Sequence, residues 1–225
     1  MKTHLKTIMV AAVFAAQAVP ALAAPTLPGG AEVGLAAGTL GIGPQVSWTI
    51  VPDKIGARLS VGLLNYNYDT TADGLKYSGS LRLRNVGLLA DWRPFAGRFH
   101  VTAGAYYNGN KLELSAQPNA GTYQINGDTY AYNDVGSVNA TVSFNSIAPY
   151  LGLGWSNDGG EAGLHFTSDV GVMYQGKPSV SVTSTIPTQN AQLTADMAAA
   201  QAKLESKLSS YQWYPVLQVG FVYRF

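Results

Sequence analysis

The 225-residue chain contains no cysteine, which rules out disulfides, thiolate metal sites and a cysteine-linked lipid anchor. It is also short of charge. Only 12% of residues are Asp, Glu, Lys or Arg, about half of what a soluble domain carries. No basic excess exists either, with 14 Lys+Arg against 13 Asp+Glu, so phosphates would go unneutralised and nucleic acid is not an expected partner. Long apolar runs are missing as well. Beyond Pro20 no stretch is apolar for the roughly 18 residues that a spanning helix needs. What is abundant is glycine, at 25 residues, and aromatic side chains, at 11%. A chain this poor in charge, with no spanning helix, has one economical way to live in lipid. Its backbone groups must be satisfied between strands that close into a barrel.

The first residues set the compartment. Lys2, His4 and Lys6 make a positive start, Ile8 to Val19 form a short apolar run, and Ala21-Leu22-Ala23 supplies small residues after Pro20. This pattern is that of a secretory signal peptide over residues 1–23. Loss of Lys2 and Lys6 moves the formal charge from +1 to about −1. Residues 24–225 are then expected to form one domain.

Side chains on a strand alternate between its faces, so a strand with lipid on one side and a lumen on the other alternates apolar with small or polar. The last residues do this: Trp213, Pro215, Leu217, Val219, Phe221, Tyr223 and Phe225 share one apolar face, opposite the mixed and partly polar Gln212, Tyr214, Val216, Gln218, Gly220, Val222 and Arg224. Ile55–Leu63, Phe99–Tyr107, Ile147–Trp155 and Leu164–Val172 repeat the pattern. Phe221, Tyr223 and Phe225 also resemble the C-terminal signal that the barrel-assembly machinery reads. In Ala31–Ile50 the phase changes around Gly38-Thr39, which is either a bulge in one strand or a turn between two. A second slip near Asn85, between Leu81-Leu83 and Val86-Leu88, suggests a bulge. With the turn reading, the fold is all-β, an eight-stranded antiparallel transmembrane β-barrel.

Connections come in two lengths. Val51–Lys54, Pro94–Gly97 and Asn157–Gly160 are short, and Pro, Gly, Asn and Asp suit them to tight turns. Asp69–Lys76, Gln117–Val138 and Lys177–Ser210 are long. Short turns face the periplasm in such barrels and long loops face outward. Trp48, Trp92, Phe99 and Trp155 beside the short turns fit an inner aromatic girdle. Tyr66, Tyr68, Tyr106, Tyr107, Tyr174 and Trp213 beside the long loops fit an outer one. Within the last loop, Gln189–Ser209 predicts a short helix with Leu193, Met197, Leu204 and Leu208 near one face and Thr188 or Asn190 as its cap.

Several segments, in order along the chain, are similar to a known family. They are Trp92-Arg93-Pro94, Tyr123-Gln124-Ile125-Asn126-Gly127, Ile147-Ala148-Pro149-Tyr150-Leu151-Gly152, Gly176-Lys177-Pro178 and Trp213-Tyr214-Pro215-Val216. The chain resembles the small carbapenem-associated, ornithine-uptake outer-membrane porins of the CarO type. That resemblance implies an eight-stranded barrel in the cell outer membrane and passage of small basic amino acids, but no family site residue carries over. The expected partners are the bilayer with its lipopolysaccharide, the barrel-assembly machinery and small solutes. No cofactor is expected.

The alternation places Glu32, Arg58, Arg82, Arg84, His100, Asp169 and Arg224 toward the lumen. An eight-stranded lumen is just wide enough to be filled by its own side chains, so one reading is a plug of paired charges. The other is a narrow polar path in which carboxylates attract cations and arginines orient carboxylates, as charge rings do in pores. A non-conducting barrel acting through its external loops is the alternative to a channel. Catalysis is not expected. His165, Thr167 and Asp169 share one strand face with Ser168 opposite, yet residues two apart lie nearly 7 Å apart at Cα and form no automatic relay. Two histidines, His100 and His165, make a weak metal site.

Overall fold

Alternating sequences of this kind become long antiparallel strands, and a computed structural model describes residues 30–72, 75–118, 121–157, 162–186 and 190–225. The expected signal peptide and Thr188 lie outside the described residues. In chain order the elements are β1 (Ala31–Gly38), β2 (Gly41–Val51), β3 (Ile55–Ala72), β4 (Leu75–Trp92), β5 (Phe99–Asn108), β6 (Lys111–Pro118), β7 (Thr122–Ile125) and β8 (Asp128–Ala131). A one-turn α1 (Tyr132–Val135) follows, then β9 (Val138–Ser143), β10 (Ile147–Ser156), β11 (Gly163–Tyr174), β12 (Ser179–Ser184), α2 (Ala191–Leu208) and β13 (Trp213–Arg224). Strands β1, β2, β3, β4, β5, β10, β11 and β13 pair in that order, and β13 pairs back onto β1. The result is a closed eight-stranded ring with every neighbour antiparallel.

The phase change at Gly38-Thr39 is a turn. Gly38 pairs with Gly41, so Thr39 and Leu40 alone connect β1 to β2, the two-residue loop favoured in hairpins. Gly41 has φ 106°, and a Cβ there would lie 2.7 Å from the Leu63 backbone, so no other residue fits. This turn sits at the end opposite Val51–Lys54 and Pro94–Gly97, so one connection on the long-loop side is tight.

No bulge exists at Asn85. Strands β3 and β4 keep one register from Ile55↔Trp92 to Ala72↔Leu75. What changes there is polarity. Toward the turn end, Leu59, Leu63, Val86 and Leu88 point outward, while Arg58, Ser60, Asn85 and Asp91 point inward and are buried. Beyond the Gly62↔Asn85 rung the order reverses: Leu83 is buried on the inward face, while Arg82 and Arg84 are exposed on the outward one. A membrane boundary produces this reversal, because the outward face passes from hydrocarbon to water in one rung.

Asp69–Lys76 is accordingly no loop, since both strands of this hairpin run on past the barrel rim. Where β5 ends at Asn108, β6 takes over the edge of β4, and β9 and β12 add on in turn. The extension is amphipathic. Leu112, Leu114, Ala140, Val142, Val180 and Val182 occupy one face, while Lys111, Glu113, Asn139, Thr141, Ser179 and Ser181 occupy the other. Residues 117–138, expected as a loop, hold the end of β6, the β7–β8 hairpin and α1.

Helix α2 was legible to within two residues at each end. Asn190 caps it, its side chain accepting from the Gln192 and Leu193 backbone N–H groups, and this satisfies donors that a helix start leaves open. Its Leu193 and Met197 pack with Ile125, Tyr130 and Val135, against Val138 and Val182 of the extension.

Large apolar side chains cover the outside of the ring, with Leu88 67% and Leu164 69% exposed. A water-soluble monomer rarely exposes such a continuous surface. Trp92 and Trp155 stand exposed at the turn end, with Phe99 edge-on to Trp155 at 5.0 Å between ring centroids. Tyr107, Tyr174 and Trp213 are exposed toward the other end. Tyr106 leaves the expected outer girdle: it points into the lumen and is buried.

Candidate functional site: the barrel lumen

Midway along the lumen, four strands converge on one guanidinium. Arg58 of β3 donates from Nη1 to Asp169 Oδ2 at 2.6 Å and from Nη2 to Asp169 Oδ1 at 2.8 Å. The same Nη2 reaches Asp91 Oδ1 of β4 at 2.9 Å and Thr102 Oγ1 of β5 at 3.2 Å. Thr102 donates to Asp91 at 2.6 Å, and His100 Nε2 lies 3.2 Å from Asp169 Oδ1. All five side chains are buried. The two parallel bonds to Asp169 make the strongest pairing geometry a guanidinium offers. The tight inward approach follows from glycine at Gly154, where a Cβ would overlap His100 Nε2.

Toward the turn end the lumen holds a small polar vestibule lined by Glu32, Gln45, Ser47, Arg93, His100 and Thr167. Ser47 donates to Glu32 at 2.8 Å, Arg224 lies 3.5 Å from Glu32, and Gln45 donates to Thr167 at 3.2 Å. Toward the opposite end the lumen is apolar and filled. Leu40, Leu89, Tyr106, Ala148, Tyr150, Met173 and Val216 form one buried cluster, with Tyr214 against it. Tyr106 and Tyr150 meet edge to face at 5.4 Å. Leu40 reaches this cluster because its turn folds inward. Thr39 donates to Pro215 O, Tyr214 donates to Thr39 O, and Asn85 Nδ2 donates to Leu40 O.

The sequence-expected lumen set therefore divides. Arg58, His100 and Asp169 meet in one network, and Glu32 and Arg224 pair near the turn end. Arg82 and Arg84 are corrected: they sit on the outward face beyond the membrane, where Arg82 pairs with Glu113 at 2.8 Å. Sequence reasoning missed Asp91, Thr102 as a ligand of the cluster, and Leu40. Asp91 had a signal, since it alternates with the outward Ala90 and Trp92. Leu40 had none, because its lumen position depends on a turn folding inward.

Among the described residues no group of His, Asp and Glu could hold a metal ion. Ser168 donates to Trp155 O at 3.4 Å, and Asp169 is engaged by Arg58 and His100.

No protein-family model matches the chain, and no curated protein matches it. Solved structures do. CarO from Acinetobacter baumannii is 25% identical with a TM-score of 0.57, the match covering 86% of this chain and 97% of that one. This chain is an outer-membrane barrel similar in structure to CarO. CarO2 of the same organism is 24% identical, with a TM-score of 0.56 over 87% of this chain and 98% of its own. A major outer membrane protein from Thermus thermophilus is 18% identical over 87% of this chain and 99% of its own, with a TM-score of 0.48. The outer-membrane location of this chain gives its apolar belt a physical reason. Barrels of this kind turn short connections to the periplasm and long ones outward, a rule that would put the polar end of this lumen on the periplasmic side.

Proposed function

We propose that this barrel is a passive channel for small solutes, amino acids with basic side chains among them, held in a closed arrangement. The observation that carries the reading is the Arg58 network. Replacing a buried ion pair with apolar residues is often neutral or stabilising, so stability alone gives no reason to keep Arg58, Asp91 and Asp169 inside the lumen. A site presenting both signs matches a zwitterion with a basic side chain, and the apolar cluster above it acts as a hydrophobic constriction of the kind that gates by dewetting. The CarO-type resemblance favours ornithine as the first solute to try. Uptake of labelled ornithine and glutamate into liposomes holding the folded barrel tests this. Ornithine entry above that of barrel-free liposomes, and above glutamate, is expected; equal entry with and without the barrel contradicts it.

A second reading is a non-conducting barrel that stabilises the envelope or adheres through its external part. The filled apolar half of the lumen and the large external extension favour it. No uptake, together with loss of an envelope or adhesion phenotype when the extension is removed, would decide for it.

A further inference from the structure

Between the extension and the end of α2 lies a cavity of about 300 Å³. Its walls are mostly apolar: Leu81 and Leu83 of β4, Leu112 of β6, Val142 of β9, Leu208 of α2, and Tyr214 at the floor. The volume reaches the lower end of the range for small-molecule sites, which are mostly apolar with a few placed polar groups. Lys111 and Tyr211 also line it, and among its polar side chains Asn110 and Gln175 are buried, exposed by only 5% and 4%. Each of these two leaves one atom without a protein partner. Asn110 Oδ1 accepts from Arg84 N and from Asn85, which leaves its Nδ2 donor unused. Gln175 Nε2 donates to Tyr211 O, which leaves its Oε1 acceptor unused. Buried polar groups are nearly always paired, and an exception calls for a reason.

We propose that this cavity is a binding site for a small, flat, apolar molecule carrying one donor–acceptor group such as a carboxamide. The mostly apolar walls offer a charged, hydrated solute little to replace its water, and the charged residue in the lining, Lys111, is itself a cation, so the ligand is of a different class from a basic amino acid. The two unused atoms supply one donor and one acceptor, and the helix end at Leu208 forms part of the wall that closes over the ligand. Because Tyr214 also packs on the Leu40 cluster and donates to Thr39 O, the site adjoins the lumen plug. The assignment stands whether or not the barrel conducts.

Methyl NMR of the full folded barrel in lipid nanodiscs tests it, with 2-naphthamide as the probe and naphthalene and ornithine as comparisons. Saturable shifts are expected at Leu81, Leu83, Leu112, Val142 and Leu208, with none at the lipid-facing Leu88, Leu153 and Leu217. Naphthamide should bind about tenfold more tightly than naphthalene, and Gln175→Leu should remove most of that difference. Leu112→Trp fills the cavity from the sheet and Leu208→Trp fills it from the helix; either, when folded, should abolish the saturable shifts. Shifts that rise linearly and equally at lipid-facing methyls, or saturable shifts that survive both filled variants, overturn the proposal.

Discussion

Leu63 and Arg84 are direct partners on one rung of the β3–β4 ladder, and both side chains leave the sheet on its outward face. One is the last lipid-facing leucine of β3, and the other is the first exposed charge of β4 beyond Val86. A leucine beside an arginine on the same face is uninformative in a soluble sheet. In a barrel it marks the height where hydrocarbon ends.

That height makes a first prediction. Leu88, four rungs nearer the turn end than Arg84, lies about midway between Arg84 and the Trp92 girdle residue. Leu88→Arg should cost about 2–4 kcal/mol, as cations near a bilayer midplane do. Arg84→Ala should change stability by less than about 0.5 kcal/mol, as a surface substitution does. Urea unfolding of the barrel in vesicles measures both, and equal costs would remove the boundary from this rung.

The Arg58 network predicts an asymmetry. Asp169→Ala leaves the guanidinium buried with Asp91 as its remaining carboxylate, and should cost about 3–5 kcal/mol. Replacing Arg58, Asp91 and Asp169 together with apolar residues of similar volume should cost far less. The same vesicle unfolding decides it, and a triple variant weaker than Asp169→Ala would contradict the argument. In open channels Asp169→Asn should also lower cation preference, read as a shifted reversal potential.

Outside the membrane, Tyr130 donates to Asp196 of α2, and this bond ties the β7–β8 hairpin to the helix. It holds the Asp196 carboxyl below its ordinary 3.8, because the bond favours the ionised form. It raises the Tyr130 hydroxyl from 10.0 to about 12. A depressed carboxylate contributes stability that is present above its unfolded pKa and lost as pH falls through the lower folded value. A raised hydroxyl contributes stability present below its unfolded value and lost as pH climbs through about 12. Amide exchange across α2 should thus speed up at the acidic end, below the ordinary carboxylate range. Tyr130→Phe should flatten that response, and an identical pH profile in the variant would show the bond does not dock the helix.

The lipid-facing alternation made the barrel legible from sequence, together with its eight strands, the girdle residues Trp92 and Trp155, and the inward Arg58, His100 and Asp169. Arg82 and Arg84 were misplaced by the same rule. Alternation names a face, but it does not say where along the strand that face stops meeting a lumen. The inversion at Leu83–Asn85 carried that information and was read as a bulge. Strands β6, β9 and β12 alternate too, as Leu112 and Leu114 do with Lys111 and Glu113, but they fell inside segments expected to be loops. Leu40 in the plug belongs to a class that no pattern shows, because a two-residue turn folding inward is a property of the closed ring.

Leu40 gives the most direct test of the channel reading, by single-channel recording in planar bilayers of the folded barrel and its Leu40→Ala variant. Truncating a buried leucine costs about 2–5 kcal/mol and leaves space beside its neighbours, so the constriction formed with Tyr106, Tyr150 and Val216 should widen. Rare, small openings are expected for the natural chain, and more frequent or larger ones for the variant. A folded barrel that stays silent in both forms would contradict the account.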